Sequence, residues 1–250
     1  MPTVRSLRHG FTAGVPPSAN RHPRAKRDIC QGWTEKSCRS NTRFLYGVDE
    51  RQLSGYGVAV TLTVRDCPPT AAEWHRLRRS LFKRLERAGM VRMHWAVEWQ
   101  RRGVPHLHCA IYWPDRESRA DVIGMWCDIA FAYAAGFSSQ NETPIFDVLG
   151  WVQYVSKHAS RGVRHYQRSP ENIPSGWRGV GTGRMWGRWG DWPDRQELGL
   201  ELSMAAFHAL RRVIRKRSEA QARADLARRV SSSGVAHLLS YMPPGDRRVA

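Results

Sequence analysis

Hydrophobic and polar positions alternate or recur with helical spacing through the middle of the chain, and each change of period marks an element. Val58, Val60, Leu62 and Val64 alternate with small and polar residues, which predicts a half-buried strand over 57–65. Pro68-Pro69-Thr70 then leads into a helix: Thr70 caps it with Glu73 at capping-box spacing, Trp74, Leu77, Leu81 and Leu85 form its buried stripe, and Gly89 stops it. Over 93–99, Met93, Trp95, Val97 and Trp99 share one face and Glu98 takes the other. A strand over 106–113 follows, with Leu107, Cys109 and Ile111 directed to the core. The link between them is short and contains Gly103, so the two strands are expected to form a hairpin. Ser118 opens a second helix whose Val122, Met125, Trp126, Ile129 and Tyr133 face inward and which Gly136 ends. A third helix carries Val148, Val152, Val155 and Ala159 as an apolar stripe and is expected to stop at Gly162. The order β-α-β-β-α-α, with helices packed on one side of antiparallel strands, predicts an α+β sandwich.

The flanks differ. Residues 1–50 contain Pro16-Pro17, Pro23 and many Arg, Ser, Asn and Thr with little periodicity, and are expected to form a flexible basic arm. A folded domain is expected over 51–195. Residues 196–250 read as a basic helical extension, with Leu198, Leu202, Leu210, Val213 and Ile214 apolar and a basic run from Arg211 to Arg217. Hydrophobic residues make up 41% of the 250, enough for one core.

Charge narrows the partners. Forty Lys and Arg against 22 Asp and Glu give a net +18, and only 117–150 is negative. Such a surface attracts phosphates and makes binding salt-dependent, which favours a nucleic acid without identifying a reaction. No apolar run approaches 18 residues, so no membrane span is expected, and the N-terminus lacks the apolar stretch of a secretory signal. The five cysteines are odd in number and form no CxxC pair; Cys109 and Cys127 fall on apolar faces as reduced core residues, pointing to a reducing cytoplasm. Cys30, Cys38 and His22 are poorly spaced for zinc.

Two stretches carry candidate chemistry. In His106-Leu107-His108 the strand period points both imidazoles to one face, and a hairpin brings the Glu98 carboxylate beside them. Two neutral imidazoles and a carboxylate with open positions suit a catalytic divalent ion better than structural zinc. Taken alone, an HxH pair is also common without any metal. In the third helix, Tyr154, Lys157 and Arg161 fall together away from the apolar stripe, the makings of an anion site holding a phenol. Alone, this too reads as an amphipathic helix with a half-packed tyrosine.

Together they are more specific. Ala59-Val60-Thr61-Leu62-Thr63-Val64, His106-Leu107-His108 and Tyr154-Val155-Ser156-Lys157 resemble, in order, the three motifs of the HUH-endonuclease superfamily, within it the rolling-circle replication initiators of small phages and plasmids. The resemblance covers roughly 56–190. It implies an RRM-like sheet and a catalytic domain over 51–195. It also implies Mg2+ or Mn2+ held by His106, His108 and Glu98, Tyr154 as nucleophile, and Lys157 beside the phenolate or phosphate. The implied reaction nicks single-stranded origin DNA, presented as a hairpin or extruded by supercoiling, leaving a 5′-phosphotyrosine and a free 3′-hydroxyl that primes synthesis. Host helicase and DNA polymerase are implied partners in a bacterial cytoplasm, and a dimer is compatible. Relaxases and single-tyrosine transposases of the superfamily stay open, as do a non-catalytic origin-binding protein and a metal hydrolase acting with water.

Residues 172–195 interleave Trp177, Trp186, Trp189 and Trp192 with Arg178, Arg184 and Arg188. They read either as a last strand closing the core or as a platform on which unpaired bases stack. Candidate DNA contacts are Arg101, Arg102, Arg161, Trp186, Arg188 and Trp189. The next tyrosine after Tyr154 is Tyr166, about 18 Å farther along any continuous helix, so one nucleophile is expected.

Overall fold

A computed structural model describes residues 1–15, 29–193 and 198–239. In chain order the elements are β1 (Thr3–Leu7), β2 (Gly10–Gly14), α1 (Glu35–Gly47), β3 (Tyr56–Thr63), α2 (Ala71–Arg87), β4 (Arg92–Trp99) and β5 (Pro105–Trp113). There follow α3 (Val122–Ile129), β6 (Asn141–Ile145), α4 (Val148–Ala159), β7 (Trp186–Gly190), β8 (Leu198–Glu201) and α5 (Met204–Leu239). The chain divides into two units, the described parts of Met1–Arg5, Ala13–Ala19 and Gly199–Ala250, and those of Ser6–Thr12 and Asn20–Leu198. The first holds α5, and β8 joins a three-stranded sheet in the order β2–β1–β8. Among the described residues no helix is long and apolar enough to cross a membrane.

The second unit is built on a five-stranded antiparallel sheet in the order β6–β3–β5–β4–β7. This is the α+β architecture expected, compatible with an RRM-like fold. The β4–β5 hairpin turns through Gln100–Val104, where Gln100 N–H donates to the Val104 carbonyl at 2.8 Å and Gly103 takes φ +70°. Helix α2 begins where expected, the Thr70 hydroxyl accepting from Glu73 N–H. Its Trp74, Leu77, Leu81 and Leu85, with Val122 and Trp126 of α3, pack on Val58, Val60, Leu62, Leu107, Cys109 and Ile111.

Helices cover both faces of the sheet rather than one. The face expected to be open carries Ala110 and Tyr112 of β5, and Phe44 and Leu45 of α1 and Trp151, Tyr154 and Val155 of α4 bury it. Covered on both sides, β4 is buried from Met93 to Trp99, its polar His94 and Glu98 included, rather than on alternate residues only.

The supposed flexible arm contains structure. A Thr34–Ser37 capping box starts α1, and Cys38, Asn41, Phe44 and Leu45 at helical spacing are buried. Thr42 donates to the Ala159 carbonyl of α4 at 2.9 Å. The β1–β2 turn is tied down as well: Arg8 and His9 each reach buried Glu50 at 2.7 Å. Pro16, Pro17, His22 and Pro23 lie outside the described residues. Helix α3 starts at Val122 with Asp121 as cap, not at Ser118, whose N–H donates to Asp115 instead. Strand β6 pairs with β3 at a position the sequence left as a link.

Candidate active site

Strand β5 puts His106 and His108 on the α4 side of the sheet, their rings 5.9 Å apart. Pairing sets Thr61 of β3 opposite His108 and Glu98 of β4 opposite His106. The Thr61 hydroxyl lies 3.0 Å from His108 Nδ1. With Thr61 accepting that N–H, His108 Nε2 keeps a bare lone pair. This Nε2 and both ring nitrogens of His106 are buried without hydrogen-bond partners. Burial holds His108 well below the ordinary histidine range. Burial, with the Arg102 charge nearby, pushes His106 down to about 4. Both imidazoles are therefore neutral and available as ligands.

Glu98 is wholly buried, with Oε2 3.4 Å from His108 Nε2. Arg161 donates to Oε2 and Arg168 to Oε1, the latter at 3.0 Å. Burial alone would raise this carboxyl. The guanidinium of Arg168, hydrogen-bonded to it, and the imidazoles of His158 and His108 beside it more than offset this, so Glu98 stays ionised, below the usual carboxylate range. Arg168 is fully buried too, donating to the Arg161 carbonyl and, at 2.8 Å, to that of His158, with its guanidinium 4.0 Å over the Trp33 ring.

Helix α4, capped by Asp147, does not bury the stripe expected. Val148 and Val152 are 43% and 37% exposed, and the buried face is Trp151, Tyr154, Val155, His158 and Ala159. The reason lies in what α4 covers: a sheet face carrying histidines, Glu98 and Tyr112, where a phenol and an imidazole find partners and Trp151 finds the apolar floor. Tyr154 O–H donates to His94 Nδ1 at 2.8 Å. The Tyr154 ring lies 4.6 Å from that of His158, which lies 4.9 Å from His108. Burial lifts the Tyr154 phenol well above its ordinary range. A cavity of about 160 Å³ opens here, lined by Thr61, His108, Gln153, Tyr154, Lys157 and His158.

The three expected chemical groups thus converge, and His94, Asn41, His158 and Arg168 join them unannounced. His94 was legible, sharing the Glu98 face of β4 by alternation; no local signal marks Arg168. Among the described residues no group of three or more His, Cys, Asp or Glu stands ready to hold a metal. The histidine pair, with its orphaned nitrogens, fits a divalent ion; Glu98 completes a three-donor set only by releasing Arg161.

The candidate DNA contacts are scattered. Arg102 donates to the Val64 and Arg65 carbonyls at 2.7 and 2.6 Å, and Arg101 lies 5.0 Å over the Tyr166 ring. Trp186 stacks on Phe44, and Arg188 sits 4.8 Å over the same ring. Trp177 and Trp192 are core residues, whereas Trp189 is 38% exposed. Strand β7 is the closing strand.

The family model of the replication-associated protein ORF2/G2P matches residues 57–163, from β3 through α4. The chain is 48% identical over 231 residues to the replication-associated protein G2P of Pseudomonas phage Pf3, covering 90% of this chain and 82% of that one. It belongs to the replication-associated protein ORF2/G2P family. A second relative, the "Putative replication protein" of Xylella fastidiosa strain 9a5c, is 48% identical over 234 residues, with 90% and 82% covered. No solved structure matches. The stretch shared with the ORF2/G2P family holds His94, Glu98, His106, His108, Tyr154, Lys157 and His158, whereas Asn41 and Arg168 lie outside it.

Proposed function

We propose that this replication-associated protein is a metal-dependent endonuclease and strand transferase that nicks single-stranded origin DNA through Tyr154. One observation carries the reading: Tyr154 and Lys157 of α4 line the same small cavity as His108 of β5. An HxH metal hydrolase using water would not need a phenol there, and a non-catalytic DNA-binding protein would need neither the phenol nor free imidazole nitrogens.

His106 and His108, with Glu98 once Arg161 lets go, would hold Mg2+ or Mn2+. When bound, the ion supplies charge stabilisation to the non-bridging oxygens of the scissile phosphate. The chain does the rest. Tyr154 oxygen bonds to phosphorus, the bond to the 3′ oxygen breaks, and the DNA is left as a 5′-phosphotyrosine with a free 3′-hydroxyl. Lys157, an exposed ammonium at the cavity, attracts the phosphate and stabilises negative charge on it. Arg168 keeps Glu98 ionised and, through the His158 and Arg161 carbonyls, ties the end of α4 to β4, which fixes the height of Tyr154 over the sheet. The surrounding positive charge draws the DNA in.

The test is a labelled single-stranded origin oligonucleotide incubated with protein and Mn2+, then run on a denaturing gel. A chelator-sensitive band at the summed mass of protein and DNA fragment is expected. Free cleaved DNA with no such band would assign hydrolysis by water instead.

A further inference from the structure

Tyr154 must lose its proton as it attacks, and the acceptor the structure gives its hydroxyl is His94 Nδ1, 2.8 Å away. The other ring nitrogen of His94, Nε2, lies 2.8 Å from Asn41 Oδ1. A carbonyl oxygen only accepts, so Nε2 carries the hydrogen and Nδ1 presents its lone pair to the phenol. The three residues come from α4, β4 and α1 and lie far apart in sequence. Asn41 and His94 have no solvent exposure. Phe44 stacks on the imidazole at 5.5 Å and Trp186 lies at 6.1 Å, so the ring is held by aromatics as well as by its two hydrogen bonds. Lys157, as an ammonium, has no lone pair to offer, and His158 directs Nδ1 toward Glu98 at 3.9 Å.

We propose that His94 is the general base for Tyr154, and that Asn41 is a positioning residue fixing the tautomer that can accept the proton. The proposal rests on Tyr154 being the nucleophile. As the oxygen–phosphorus bond forms, the phenolic proton passes to His94 Nδ1. The bond from phosphorus to the 3′ oxygen breaks with its electron pair, and that oxygen takes a proton from water. In the joining direction a 3′-hydroxyl attacks the phosphotyrosine and gives its proton to water, the bond from phosphorus to the Tyr154 oxygen breaks, and His94 returns its proton to the departing phenolate. Burial, with the Arg168 charge nearby, holds His94 well below its ordinary range, and burial holds the Tyr154 phenol well above its own. The proton therefore stays on Tyr154 in the resting protein and moves only when phosphorus draws electron density from the oxygen.

The experiment is single-turnover adduct formation on a single-stranded origin oligonucleotide, with folding checked by thermal melting. His94→Gln should lower the rate by about 10²–10⁴-fold, the usual contribution of general-base catalysis. Replacing Tyr154 with a trifluorotyrosine, whose phenol is more acidic, should recover roughly tenfold or more in that variant and change the rate only a few-fold when His94 is intact. Asn41→Leu frees the imidazole to take the other tautomer and should lose rate as His94→Gln does, with the same fluorotyrosine recovery. Asn41→Asp keeps an acceptor and should stay within a few-fold of the parent. If His94→Gln does not fold, the Asn41 pair decides. A folded His94→Gln or Asn41→Leu protein that reacts at the parental rate, or whose loss fluorotyrosine does not recover, overturns the proposal and leaves His94 a packing residue. Adduct formation by Tyr154→Phe would instead overturn the nucleophile assignment beneath it.

Discussion

Arg168→Met should destabilise the protein more than loss of Arg161, the other arginine on Glu98. Arg168 is fully buried and gives its donors to Glu98 and to the carbonyls of Arg161 and His158, while its guanidinium lies over Trp33. Methionine matches the length of the stem and keeps contact with Trp33, but supplies no donor. Removing one partner of a buried ion pair costs about 3–5 kcal/mol, and each orphaned carbonyl adds about 1 kcal/mol. These terms overlap, and Arg161 still faces Glu98, so we expect about 4 kcal/mol in all. For a chain of this size that corresponds to a fall in Tm of about 8–16 °C. Urea unfolding should show a lower midpoint with an unchanged slope. Arg161→Met should cost about 1–2 kcal/mol, because that side chain is 15% exposed and water replaces part of the lost interaction. The loss should also depend on acid. Glu98 titrates below its ordinary 4.5 in the folded protein, so its contribution is complete above that pH and drains away as the pH falls below it. An Arg168→Met protein within 1 kcal/mol of the parent, or less sensitive than Arg161→Met, would refute the buried-network account.

Three further outcomes are expected. His106→Ala or His108→Ala should abolish cleavage and weaken Mn2+ binding measured by titration calorimetry, and chelator should stop the parent; unchanged Mn2+ affinity would remove the histidines as ligands. Tyr166 is 44% exposed and lies beyond the end of α4, so Tyr166→Phe should cleave and join at close to the parental rate. A variant that nicks but cannot complete transfer would make Tyr166 a second nucleophile. Trp189→Ala should weaken single-stranded DNA binding by about 1–3 kcal/mol if the exposed indole stacks on a base, and titration by fluorescence anisotropy reads this directly.

What was legible follows from how far each signal reaches along the chain. Strands β3, β4 and β5 and helix α2 announce themselves because their periods, caps and turns are local: Thr70, Gly103 and the alternation of Val58, Val60 and Leu62 each act within a few residues. The HxH pair and Tyr154 were legible as residues for the same reason. The face of α4 is not legible from its valines, because the surface beneath decides which side chains turn inward. That surface carries imidazoles and a carboxylate, so Trp151, Tyr154 and His158 turn inward and Val148 and Val152 turn out. Residues 1–50 looked featureless because the arginines and prolines around it obscure one short helix whose burial depends on α4, more than a hundred residues later. Arg168 was invisible for a related reason: an arginine in a polar loop becomes a core residue only when Glu98, 70 positions earlier, is folded beneath it.

Peptide mass spectrometry of the nuclease-trimmed reaction reads the proposed attack of Tyr154 on DNA phosphorus at the residue itself. A phosphonucleotide is expected on Tyr154, absent in Tyr154→Phe and in chelator. An adduct on any other residue, or on Tyr154→Phe at the parental yield, would contradict it.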